Sequence, residues 1–138
     1  MKLAFICTGN SARSQMAEAY AEYFLNLYKK NVKVYSAGAN PEKEINPLVI
    51  KIMKEEGIDL SNKRPKGLEE IPLRELDLII TLCDQAEKTC PFIPGIKRIH
   101  WSLPDPAKLR GEEEEVLFYL RKIREEIKTR VKQLIENL

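Results

Sequence analysis

Four short apolar runs, each followed by a helical pattern, constrain the fold of this chain more than any other feature. Residues 3–6 (Leu-Ala-Phe-Ile) form a continuous apolar run, as a central parallel strand covered on both faces requires. Beyond the loop that follows, Met16, Tyr20, Tyr23, Phe24 and Leu27 recur at three- and four-residue spacing and predict one apolar helix face. Residues 32–35 read as a second strand, with Ser36-Ala37-Gly38 turning out of it. Asn46 and Pro47 supply an N-cap and a first-turn proline for the next helix, which closes at Gly57. Residues 77–82 and 97–101 predict the third and fourth strands. Glu112, Glu113, Glu114 and Glu115 put negative charge at the start of the last helix, and Val116, Leu120, Ile123, Ile127, Val131 and Leu134 mark its buried stripe. Strands separated by helices imply an α/β fold: a single-domain, four-stranded parallel sheet with helices on both faces, spanning residues 1–138. In such sheets the ligand site lies beyond the carboxyl ends of the strands. Cys7, Ser36, Cys83 and the turn at 102–105 all follow strand ends, so they are expected to converge on one edge.

Composition removes several classes of function. Charged residues make up 32% of the chain, yet the net charge is only +2, too small to argue for a nucleic-acid partner. No apolar run approaches the roughly 18 residues that a membrane span needs. The apolar stretch before Cys7 is too short for an export signal, which makes the cytoplasm the expected compartment and reduced thiols the expected state. Three cysteines do not suit a static disulfide framework, and a single His leaves no Ser-His-Asp triad of the usual kind. Zinc held by Cys7, Cys83, Cys90 and His100 would lack any Cys-x-x-Cys spacing, so neither a metal nor an organic cofactor is expected. A monomer is the expected state.

The chemistry is concentrated in Cys7-Thr8-Gly9-Asn10-Ser11-Ala12-Arg13-Ser14, set between a strand and a helix. A loop of this length can curl its backbone N–H groups inward as an anion nest, and the helix starting near Arg13 adds its positive end. Gly9 and Asn10 are the residues best able to take positive φ in the curl. Arg13 offers a planar fork for two oxygens of a phosphate-like group. The same positive surroundings favour a thiolate on Cys7, to which Ser14 can donate. The segment lacks the Gly-Lys-Ser/Thr ending of a nucleotide P-loop, which argues against an NTPase. Asp105, held between Pro104 and Pro106 in a rigid turn, reads as a positioned general acid.

The run Ile6-Cys-Thr-Gly-Asn-Ser-Ala-Arg-Ser-Gln-Met-Ala-Glu18 resembles the low-molecular-weight tyrosine phosphatases and their relatives, the thioredoxin-coupled arsenate reductases. The likeness extends through Val34-Tyr-Ser-Ala-Gly38, Asn46-Pro47, Gly57-Ile-Asp-Leu-Ser-Asn62, Asp77-Leu-Ile-Ile-Thr-Leu-Cys83 and His100-Trp-Ser-Leu-Pro-Asp-Pro106. It implies that Cys7 is the nucleophile, that Arg13 binds the oxyanion and that Asp105 is the acid. In the reductase branch it further implies that Cys83 attacks the Cys7 sulfur, that Cys90 then attacks Cys83, and that thioredoxin reduces the resulting disulfide.

A phosphatase has no use for Cys83 and Cys90, whereas a reductase must supply two electrons. Residues 39–44 contain no aromatic side chain to wall a phosphotyrosine, and Ala107 and Lys108 stand where the phosphatases often carry tyrosine. Reduction of arsenate is therefore the expected activity. Hydrolysis of phosphate monoesters is the alternative, and a non-catalytic oxyanion-binding or redox-sensing protein is a third class. The chain departs from the family pattern at Ala12, where most relatives have a second loop cysteine that the relay does not need. Asn10, Glu18 and Ser36 match the potassium site of some reductases, but Lys66 stands where an Asp is expected.

Overall fold

A computed structural model describes residues 1–138. Strands β1 (Lys2–Cys7), β2 (Lys33–Gly38), β3 (Leu78–Thr81) and β4 (Lys97–His100) form one parallel sheet in the order β2-β1-β3-β4. Leu3, Ala4, Phe5 and Ile6 are all fully buried. Successive side chains of a strand point to opposite faces, so both faces of the sheet are covered, as the unbroken apolar run requires. Helices α1 (Arg13–Leu27) and α4 (Glu113–Glu136) pack on each other, and α2 (Pro47–Lys54) packs on α4. The short α3 (Asp84–Thr89) lies against β1 and β3. Asn46 caps α2 by accepting the Leu48 N–H at 2.9 Å, and Gly57, at φ +77°, closes the turn after it.

Three expectations change. The segment Ser36-Ala37-Gly38 continues β2 in register with Phe5, Ile6 and Cys7. Pairing with the central strand holds it extended, which local turn propensity alone does not reveal. On α1, Tyr23 and Leu27 are exposed, while Ala17 and Ala21 are buried. The buried face of α1 thus combines Met16, Tyr20 and Phe24 with small alanines, and Tyr23 and Leu27 lie outside it. On α4, Val116 and Leu134 are only half-buried and Leu117 and Ile135 are buried, a small rotation of the expected stripe.

Candidate active site

The loop from Cys7 to Ser14 is held from outside by its carbonyls. Ala39, Asn40, Glu42 and Asn46 donate their backbone N–H groups to the oxygens of Cys7, Thr8, Gly9 and Ser11 at 2.9 to 3.2 Å. The N–H groups of Gly9, Ser11, Ala12 and Arg13 donate to no acceptor in the chain, which leaves them available to an anion. Gly38 permits this packing: a Cβ there would lie 2.5 Å from the Thr8 carbonyl oxygen. Of the two residues expected at positive φ, only Asn10 takes it, at 51°. Gly9 is instead the point where the loop meets Glu42, whose Cγ would lie 2.8 Å from an added Cβ.

Asn10 is fully buried and orders the donors around the sulfur. The Lys66 backbone N–H donates to Asn10 Oδ1 at 2.8 Å, which fixes the amide orientation. Gln15 Nε2 donates to the same oxygen at 2.9 Å. Asn10 Nδ2 therefore faces Ser14 Oγ and donates to it at 2.7 Å, directing the serine proton to Cys7 Sγ at 2.8 Å. The Asn10 N–H also points to Cys7 Sγ, at 3.2 Å. Arg13 is buried, donates to the Leu103 carbonyl at 3.1 Å and lies 3.6 Å from Asp105 Oδ1. Asp105 in turn accepts the Ala107 N–H at 2.9 Å, which anchors the turn that carries it. Cys7, Thr8, Gly9, Ser11, Ala12, Arg13 and Asp105 line one cleft of about 190 Å³ together with Glu42, Asn46 and Ala107. Sequence reasoning missed Glu42 and Asn46, which reach the site because the 39–46 segment wraps the loop.

The second cysteine stands next to this cleft. Thr8 Oγ1 is 3.2 Å from Cys83 Sγ, and Cys83 caps α3 by accepting the Ala86 N–H at 3.3 Å. Cys90 ends the same helix. Burial pushes its thiol pKa up, against the opposing effect of Arg98. All three cysteines are free and buried.

Beside the loop, Lys66 Nζ lies 4.0 Å from Glu18 Oε1 and 3.5 Å from Ser36 Oγ, while Ser36 donates to Glu18 at 3.1 Å. Burial raises the Glu18 pKa and the Lys66 ammonium opposes that shift. A fixed cation thus already faces the carboxylate. Titrating activity with potassium at constant ionic strength is expected to show no saturable stimulation; a clear saturating rise would refute this role for Lys66. No group of three or more His, Cys, Asp or Glu side chains is arranged to hold a metal ion, and no helix is long and apolar enough to cross a membrane.

A cysteine at the end of a central parallel strand, in one cleft with unpaired loop N–H groups and a buried arginine, places the chain in the class of α/β proteins built around a cysteine loop. Within that class, the chain belongs to the family of low molecular weight phosphotyrosine protein phosphatases, whose pattern matches residues 2–138. It is 44% identical over 133 residues to the arsenate reductase of Bacillus subtilis (strain 168), which covers 96% of this chain and 93% of that protein. The structure is similar to that of a thioredoxin-dependent arsenate reductase from Corynebacterium glutamicum, with TM-score 0.75, 32% identity, and coverage of 99% of this chain and 60% of that one. It is also similar to a low molecular weight protein tyrosine phosphatase from T. tengcongensis, with TM-score 0.85, 26% identity, and coverage of 100% and 99%.

Proposed function

We propose that this chain reduces arsenate to arsenite through Cys7, Cys83 and Cys90, with thioredoxin as the final reductant. The observation that carries this reading is the contact of Cys83 with Thr8, which sets a second thiol beside the loop that holds the first. In the first step the loop N–H groups and Arg13 hold arsenate, and the Cys7 sulfur attacks arsenic. One arsenate oxygen leaves as water, with Asp105 as proton donor. Cys83 then attacks the Cys7 sulfur. The electron pair of the S–As bond stays with arsenic, so As(V) becomes As(III), arsenite departs, and two thiols have become one Cys7–Cys83 disulfide. Cys90 attacks Cys83 and frees Cys7, and a thioredoxin dithiol reduces the Cys83–Cys90 bond. Each exchange depends on the thiolate fraction of the attacking group and on access. Resetting the relay needs a reducing compartment, which supports the cytoplasm.

Cys7, Arg13 and Asp105 also suffice for hydrolysis of a phosphate monoester, and the likeness to the T. tengcongensis phosphatase favours some activity of that kind. Assaying arsenite production with and without thioredoxin, beside hydrolysis of an aryl phosphate, separates the readings. Multiple turnover of arsenate that requires thioredoxin is expected. Ester hydrolysis without thioredoxin-dependent arsenite would refute the reductase.

The Arg13→Lys variant keeps the charge and is expected to lose at least about 100-fold in kcat/KM for arsenate, because an ammonium cannot replace a two-pronged fork. Its affinity for phosphate, measured by calorimetry, should fall in parallel. Unchanged phosphate affinity would count decisively against this role.

A further inference from the structure

Helix α3 is tied to β4 by two side chains that the chemistry above does not use. His100 presents Nε2 to Asp84 Oδ1 at 3.1 Å and Nδ1 to Glu87 Oε2 at 2.7 Å, with Thr81 Oγ1 2.8 Å from the same Nδ1. Arg98 takes the other end of the helix. Its Nη2 donates to the Glu87 carbonyl at 2.6 Å, and its Nη1 donates to the carbonyls of Cys90 and Pro91 at 3.1 and 3.5 Å. Carbonyls in the last turn of a helix have no partner within it, and Arg98 supplies one. Helix α3 has six residues, of which only Ala86 is buried. A helix so short has little stability of its own, so ties from outside decide whether it stays wound.

We propose that Arg98 and His100 are positioning residues for the thiol relay: they hold α3 wound while the enzyme is reduced, and their release sets the rate at which Cys90 reaches Cys83. The proposal rests on the relay described above. In the step concerned, the Cys90 thiol loses its proton to solvent and its sulfur attacks Cys83 Sγ. The Cys83–Cys90 bond forms, the Cys7–Cys83 bond breaks, and Cys7 leaves as a thiolate. One disulfide replaces another and no external oxidant enters. A wound α3 keeps the two sulfurs apart, so both ties must open before this exchange. They lie on β4 and make no hydrogen bond or ion pair with residues 7–14, so on this proposal the earlier exchange between Cys83 and Cys7 keeps its rate when they open.

The test uses the full chain with three variants: His100→Ala, Arg98→Met and Glu87→Gln. The last loosens the tie from the exposed side of α3 and leaves β4 intact. Two quantities are read. Amide hydrogen exchange over residues 84–90 is measured in the reduced protein. Single-turnover reactions with arsenate are quenched by thiol alkylation, and the Cys7–Cys83 and Cys83–Cys90 disulfides are mapped against time. Each variant is expected to exchange about fivefold faster over α3, in keeping with loss of partly exposed charged contacts. Conversion of Cys7–Cys83 to Cys83–Cys90 should speed up by a similar factor, while formation of Cys7–Cys83 keeps its rate. General destabilisation would not separate the two exchanges in this way. Unchanged exchange, or a conversion that is unchanged or slower, overturns the proposal. If the unaltered protein forms no Cys83–Cys90 bond at all, the relay itself is refuted, and that result is distinct from failure of the ties.

Discussion

The Cys7→Ser variant is expected to lose both arsenate reduction and any aryl phosphate hydrolysis, each by at least about 10⁴-fold. In the proposed chemistry one sulfur opens both reactions, and two donors point at it. The Asn10 N–H and the Ser14 hydroxyl, itself aligned by Asn10 Nδ2, converge on Sγ at 3.2 and 2.8 Å. A serine hydroxyl at the same place ionises far less readily, and its oxygen can form no disulfide with Cys83. The anion cradle should survive the change, because its carbonyls are tied to the 39–46 segment and, apart from the Asn10 N–H, its N–H groups make no bond to the sulfur of residue 7. Phosphate should therefore still bind with affinity within a few fold of the unaltered protein, as calorimetry can show. Loss of both activities with retained binding assigns Cys7 to the chemistry. Retention of either activity near its original rate would remove Cys7 from the nucleophile role.

The features legible in the sequence are those that depend on neighbours along the chain. The apolar run 3–6, the αL tendency of Asn10, the Asn46-Pro47 helix start and the acidic first turn of α4 are local, and the structure bears each of them out. The strand–loop–helix arrangement around residues 7–14 is legible as well, because strand, curl, arginine and helix follow one another without interruption. What stayed hidden depends on contacts between distant segments. Whether 36–38 turns or stays extended is decided by pairing with residues 5–7, not by Ser, Ala and Gly themselves. The orientation of the Asn10 amide is decided by the Lys66 N–H, 56 residues away, and no spacing rule reaches that far. The ties from Arg98 and His100 to α3 had no signal either: an Arg and a His two residues apart on an edge strand are ordinary until a helix is laid against them. The departure at position 66 could be read in advance only as a mismatch. Its consequence, an ammonium beside Glu18, needed the geometry.

With Cys90→Ser, turnover is expected to stop after about one arsenite per enzyme, with a Cys7–Cys83 disulfide left behind. The reason lies in the shape of α3. Cys83 caps it and Cys90 ends it, seven residues further on. At about 1.5 Å rise per residue, their Cα atoms lie roughly 10 Å apart while the segment is wound. A disulfide needs about 4.4 to 6.8 Å between Cα atoms, so helix and Cys83–Cys90 bond cannot coexist. Oxidation must therefore unwind the segment, and Pro91 assists by disfavouring helical geometry at Cys90. Unwinding also carries the oxidising equivalent outward. Cys7 and Cys83 are 3% and 7% exposed, so a disulfide between them is shielded from an external dithiol, whereas unwinding of 83–90 would bring its sulfurs to solvent. Without Cys90 that transfer has no acceptor, and thioredoxin should not restore activity. In Cys83→Ser the arsenylated Cys7 has no neighbouring thiol to resolve it, so at most one slow turnover is expected. Peptide mapping of alkylated, quenched samples identifies the trapped disulfide, and hydrogen exchange over residues 83–90 in both redox states reports the unwinding. Equal protection in the two states, or undiminished multiple turnover in the Cys90→Ser variant, would eliminate the relay and return the site to the simpler chemistry of Cys7, Arg13 and Asp105.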